Sequence, residues 1–267
     1  MKHPLIISQL YIYPIKSLGG FSLQRSKVLP KGLEYDRRWM LIDDRHEFLT
    51  QRTLPIMALF RTSFSHDGKN IDVFYKGDKI QIPLEMKGST LKAKVWGDEV
   101  EVIPADEETN KWFSKNIGFS CRLVAFPEEN TRPVDPDYAF APDNKTSLSD
   151  GYPVLIMGQS SLDDLNARLE DRVGVDRFRP NIVFEGGIPY EEDTLKRFMI
   201  GSVAMEGVKP CGRCVMTTID QQTGAGGKEP LATLSTYRKV GNKVLFGQNV
   251  IPVSEGFISV GDEIFTV

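Results

Sequence analysis

A chain of 267 residues has room for one large domain or two modest ones. Its 40% hydrophobic and 26% charged residues form an ordinary globular mixture, which excludes a disordered or fibrous chain. With 33 basic against 36 acidic residues the formal charge is −3, so no nucleic-acid partner is expected, while a local cluster of cations remains compatible with that balance.

Three cysteines, Cys121, Cys211 and Cys214, are too few for a disulfide framework, and a reducing cytoplasm is the expected location. No run approaches the roughly 20 apolar residues of a membrane helix, so no membrane association is expected. The opening MKHPLIISQLYIYPIKS reads as a first strand, 5–15, and not as a signal peptide. Strands follow at 37–43 (RRWMLID), 47–52 (EFLTQR), and in IDVFYK, DKIQIPL and LKAKVW, with Gly and Asp between them. A helix is predicted over 105–118, with acids in its first turn and Gly118 as its stop. The polar, proline-rich stretch 127–151 is expected to be an interdomain linker or a long active-site loop. A strand at 153–157 leads to a helix over 160–171 with Ser160 or Ser161 as N-cap, and a third helix is predicted over 229–239. KVLFGQNVIPV and FISVGDEIFTV return the chain to strands. Short strands with frequent turns suggest a sandwich or barrel.

The sharpest chemical feature is KPCGRCVMTTID, residues 209–220. Its Cys211-x-x-Cys214 pair is open to four readings. A closed zinc site needs four ligands, and His3, His46 and His66 are distant in sequence. A thioredoxin-type pair opens a helix, whereas VMTTID reads as a strand, which would place Cys211 and Cys214 on opposite faces. Two buried structural thiols are the plainest account. The fourth reading needs a single thiolate, if a cofactor brings a metal's other ligands. Such a cofactor, if phosphorylated, also calls for fixed cations and backbone N–H donors. Cations do stand beside turns: Lys16-Ser17, Arg37, Arg38, Arg52 after Thr50, Arg177, Arg179 before Pro180-Asn181, and Arg213. TGAGGKEP lacks the P-loop pattern and reads as a flexible hairpin loop, and Glu191-Glu192-Asp193 falls at a helix start.

YIYPIKSLGG, GLEYDRRWMLID and FLTQR resemble the N-terminal β domain of the MOSC-domain family. LSDGYPVLIMGQSSLDDLNARL, DRFRPNIVFEGG, PCGRCVMTTIDQQTG, KEPLATLSTYRK and VGDEIF resemble the MOSC domain, named after the C-terminal domain of molybdenum cofactor sulfurases. The chain looks most like the two-part members, the mitochondrial amidoxime-reducing components and the bacterial hydroxylaminopurine-detoxifying proteins.

The resemblance implies a mainly β (α+β) fold, with an N-terminal MOSC β domain over 1–125 and a MOSC β-barrel with a few flanking helices over 126–267. It implies molybdenum held by molybdopterin, with Cys214 as the protein's metal ligand and catalytic residue. Arg213, Lys16, Ser17, Arg37, Arg179 and Asn181 match cofactor-binding positions, and Thr50 and Arg52 match a segment near the pocket. The implied activity is reduction of small N-hydroxylated compounds such as hydroxylamines, amidoximes and N-hydroxylated bases. The chain shows no Arg-rich targeting segment and no cysteine-desulfurase domain. Three cysteines cannot supply the four ligands of an iron–sulfur cluster. Electrons are therefore expected from a separate ferredoxin- or cytochrome-like protein with its reductase. The alternative is a sulfur or molybdenum-cofactor carrier that uses Cys214 without redox turnover.

Overall fold

The computed structural model describes residues 4–266. Seven strands close into a barrel, in the order Val154–Gly158, Ile182–Glu185, Leu5–Ile12, Glu263–Thr266, Arg197–Ile200, Val203–Arg213 and Lys243–Pro252, with the last pairing back onto the first through Val154 and Val250. Closure leaves no long free edge along this sheet. Only Val154–Gly158 and Ile182–Glu185 run parallel in the barrel. The helix Gln159–Asn166 lies on the crossover that a parallel pair requires. Alternating residues fill the interior, among them Ile7, Leu10, Ile156, Phe184, Phe198, Met205 and Val250.

The first strand thus belongs to a barrel built mostly from the second half of the chain: Ile7 pairs with Phe184 on one side and Leu5 with Ile264 on the other. The segment Arg25–Leu29 likewise pairs with Gly256–Ser259. Between these, residues 39–125 form a separate layer. Trp39–Ile42, Arg122–Ala125, Asp98–Pro104 and Leu91–Val95 make one antiparallel sheet, and Arg61–Phe64, Asn70–Tyr75 and Asp78–Pro83 make a meander. The helix Glu107–Ile117 covers them, capped by the Asp106 carboxylate on the Thr109 N–H at 2.7 Å and ended by Gly118 at φ 76°. Phe60, stacked on Tyr75 and Phe113, centres this second core.

Several expected elements differ. VMTTID is not a strand. The strand ends at Arg213, and Val215–Thr218 turn into a 3-10 helix. The hydroxyls of Thr217 and Thr218 donate back to the carbonyls of Cys214 and Val215 at 3.0 and 2.8 Å, and this local bonding overrides their β preference. The expected strand 47–52 keeps only two isolated bridges, Ile42 with Phe48 and Glu47 with Lys94, because Asp43 binds the Arg45 and Glu47 N–H groups and Thr50 starts a turn. The first strand stops at Ile12, where the Asp36 carboxylate takes the Tyr13 N–H at 2.8 Å. The strand expected from Arg37 opens at Trp39.

The second helix ends at Asn166, whose side chain bonds both the carbonyl and the N–H of Val173. Its N-cap is Gly158, since the Ser161 hydroxyl is committed to Glu192. The third helix spans Leu231–Tyr237, and TGAGGKEP joins it to the 3-10 turn instead of forming a hairpin. The 127–151 stretch holds two short paired strands, and Arg132, nearly buried, gathers the carbonyls of Ser147, Ser149 and Asp150.

Candidate cofactor site

Six loops and strand ends, around residues 16–17, 37, 52, 149–152, 177–181 and 211–216, meet in one cleft. Lys16, Ser17, Arg37, Arg52, Asp150, Arg177, Arg179, Asn181, Cys211, Arg213, Cys214 and Met216 all line it. The turn after the first strand brings Lys16 and Ser17. The end of Val203–Arg213 brings Cys211, Arg213 and Cys214, and the segment before Ile182–Glu185 brings Arg179 and Asn181. Both cysteines face the same cleft, contrary to the opposite faces expected of an extended strand. Irregular pairing at Gly207/Lys209 and Pro210/Gly212 bends the strand, and the chain turns at Cys214.

Ser17, Arg37 and Arg179 adopt positive φ of 66°, 50° and 54°. Non-glycine residues avoid that region, so three of them around one cleft mark a place where backbone comfort yields to side-chain direction. Arg37 and Arg179 lie on the ring of Tyr13, at 4.4 and 4.3 Å from its centre. Arg37 is satisfied: it donates to Asp36 at 2.6 Å, to Asn181 Oδ1 at 3.2 Å and to the Arg179 carbonyl at 3.1 Å. Asn181 is engaged at both ends, its Oδ1 also accepting from the Leu155 N–H and its Nδ2 donating to the Tyr11 carbonyl.

Arg179 is different. Its side chain is buried, yet among the described residues no oxygen accepts from its guanidinium. Burial, and then the neighbouring Arg37 charge, pull its pKa down to about 10. A guanidinium so little exposed and without a protein acceptor is costly, and an anion entering the cleft would offset that cost. Arg213 repeats the pattern in part. Its Nη2 donates to the Phe178 carbonyl at 2.7 Å and its Nη1 to Cys211 Sγ at 3.1 Å, but Nε is buried without an acceptor.

At the other end of the cleft Arg52 Nε donates to Cys214 Sγ at 3.4 Å. Arg52 also pairs with Asp150 at 3.1 Å, and Asp150 accepts from the buried Lys16 at 2.6 Å. Burial lowers the Lys16 pKa against the pull of Asp150. Crowding by protein opposes ionisation of Asp150, but the Lys16 and Arg52 charges outweigh it and hold the carboxyl well below the usual range. Thr50 does not line the cleft. It stands behind, its hydroxyl accepting from the Arg52 N–H at 3.3 Å and lying 3.9 Å from Met216 Sδ.

Among the lining residues not expected from the sequence are Asp150, Tyr152, Met216 and Asn249. Asp150 lies in the 127–151 stretch expected as a linker or active-site loop, and the approach of Lys16 and Arg52 distinguishes it from the other acids there.

The cleft holds six cations, Lys16, Arg37, Arg52, Arg177, Arg179 and Arg213, against the one carboxylate of Asp150. Among the described residues no three His, Cys, Asp or Glu side chains converge as a metal site. A phosphorylated cofactor that carries its own metal ligands fits this donor set: the Arg179 guanidinium and Arg213 Nε lack acceptors, and the Cys214 thiol stands beside Arg52.

The fold and cleft define a two-part β protein with a cation-lined cleft that holds two cysteines. Residues 5–120 match the MOSC N-terminal beta barrel domain and residues 143–265 match the MOSC domain. Mitochondrial amidoxime-reducing component 1 of Mus musculus is 34% identical, over 97% of this chain and 81% of its own length. The Homo sapiens protein of the same name is also 34% identical, over 97% and 82%. Molybdenum cofactor sulfurase of Oryza sativa subsp. japonica is 34% identical over 90% of this chain, which spans 32% of that longer protein. The chain belongs to the MOSC-domain family.

Proposed function

We propose that this protein is a molybdenum-cofactor-dependent reductase of N-hydroxylated compounds. The observation that carries the reading is the pairing of a buried guanidinium without an acceptor, Arg179, with a thiol beside a cation, Cys214, in one cleft. The similarity to amidoxime-reducing components along almost the whole chain supports it. When bound, molybdopterin would supply two-electron chemistry at molybdenum.

The chain's own part is fixing and orienting. Lys16, Arg37, Arg179 and Arg213 hold the phosphate and pterin, with Ser17 presenting backbone at a tight turn. Cys214 is the soft ligand, and Arg52 keeps a positive charge against its sulfur. Asn181 positions Arg37, and Thr50 positions Arg52. The electrons come from a separate redox protein.

The test is purification from a host that makes the cofactor, assay of bound molybdenum and pterin, and benzamidoxime reduction driven by dithionite. Stoichiometric molybdopterin with turnover supports the reductase. The sulfurase similarity favours a second reading, a carrier of sulfur or cofactor that uses Cys214. Transferable sulfane sulfur with no metal and no turnover would establish that reading instead.

A further inference from the structure

The strands Leu91–Val95 and Asp98–Pro104 are joined by the two-residue turn Trp96-Gly97. Trp96 sits at φ 58°, a conformation that turns normally give to Gly, Asn or Asp. Its side chain is also 47% exposed. The neighbouring meander has a comparable turn, Lys76-Gly77, where the left-handed position is filled by a lysine at φ 47°. A polar residue therefore suffices for such a turn in this layer, and neither turn chemistry nor core packing accounts for a tryptophan.

The ring does have a defined place. Phe48 packs against it at 5.0 Å, and the Arg52 guanidinium lies 4.5 Å from its centre. Its N–H donates to Asp150 Oδ1 at 3.3 Å. Arg52 is in turn the residue whose Nε reaches Cys214 Sγ. One side chain thus separates the exposed indole from the thiol.

The cleft is also divided by chemistry. Arg37, Arg179 and Asn181 make one end polar. Around Cys214 the exposed surface carries Val215, 50% exposed, with Met216 lining the cleft. A compound approaching the Cys214 end meets this apolar surface and the indole, with the Lys16–Asp150–Arg52 ion cluster beside them.

We propose that Trp96 selects the substrate: the exposed part of its ring takes the flat, apolar portion of an N-hydroxylated compound, so that aromatic substrates are preferred over small aliphatic ones. The inference rests on the reductase reading. Phe48, Asp150 and Arg52 hold the indole in place, so little freedom is lost when a planar group stacks on it. The N–OH group is then left to project toward the Cys214 end.

The experiment compares wild type, Trp96→Gly and Trp96→Phe, each loaded with cofactor and reduced by dithionite. Glycine suits the turn's backbone, so this variant is expected to fold. The ratio of kcat/KM for benzamidoxime to that for hydroxylamine should fall about tenfold in Trp96→Gly, through KM for benzamidoxime, and by less than about threefold in Trp96→Phe. In a second measurement benzamidoxime is titrated into loaded protein without reductant while tryptophan fluorescence is followed. Saturable quenching should occur in wild type and be lost in both variants. An unchanged ratio, or loss on both substrates alike, would overturn the proposal, the latter because the ring would then act through Arg52. Wild type that quenches but reduces neither compound would sink the reductase reading and keep the binding site. Absence of quenching in wild type would overturn the site itself.

Discussion

Arg179 pays for its place twice, in a left-handed backbone and in a buried charge without an acceptor. Replacing it should therefore separate stability from binding. Arg179→Gln removes the charge facing Arg37, and the cofactor-free protein should be more stable by about 1 kcal/mol in urea unfolding. The same variant should bind pterin roughly ten- to a hundredfold more weakly, the worth of about 1.5–3 kcal/mol for a charge-assisted bond. Unchanged pterin content at limiting cofactor would remove Arg179 from the site. Cys211 and Cys214 share the cleft, but their sulfurs face different cations, Arg213 and Arg52. Cys214→Ser should abolish single-turnover reduction normalised to molybdenum, because a hydroxyl is a poor substitute for a soft thiolate. Cys211→Ser should keep a substantial part. Equal loss in both would indicate a dithiol mechanism instead.

At the scale of elements, short-range bonding decides where strands stop. The Thr217 and Thr218 hydroxyls fold the chain after Cys214, and Asp43 and Thr50 do the same before Arg52. In both places β-branched or alternating residues read as strand, and side-chain bonds to nearby backbone won. The second helix illustrates a longer reach. Glu192, fully buried, accepts from the Ser161 hydroxyl at 2.7 Å beside the start of Gln159–Asn166. Burial pushes its carboxyl up from 4.5 to about 7. The folded protein therefore keeps a proton that the unfolded chain releases. Stability from this group is fullest below about pH 4.5, falls as pH rises toward 7, and then levels off, a loss of roughly 3 kcal/mol. Glu192→Gln retains an acceptor for Ser161 and should flatten that slope in urea unfolding between pH 5 and 8. An unchanged slope would show that Glu192 stays ionised in the fold.

For the whole molecule, the first strand matters most. Leu5–Ile12 stands between Ile182–Glu185 and Glu263–Thr266, and without it the barrel has two open edges and an unfilled interior at Ile7, Leu10 and Ile12. A fragment of residues 126–267 should therefore fail to unfold cooperatively on heating, and should aggregate through those edges. A sharp melting transition in the isolated fragment, followed by circular dichroism, would refute this. The sequence alone settled what neighbours a few residues apart can settle. The helix Glu107–Ile117 follows from its acidic first turn and the Gly118 stop, and the placing of Lys16, Arg37, Arg179 and Arg213 beside turns can be read directly. What it could not show is that Tyr13 would receive both Arg37 and Arg179, or that Asp150 would come to Lys16 and Arg52. Backbone preference is written locally, in caps, glycines and alternation. Barrel closure and the meeting of six cations come instead from burying faces that lie more than a hundred residues apart, and no single segment carries that information.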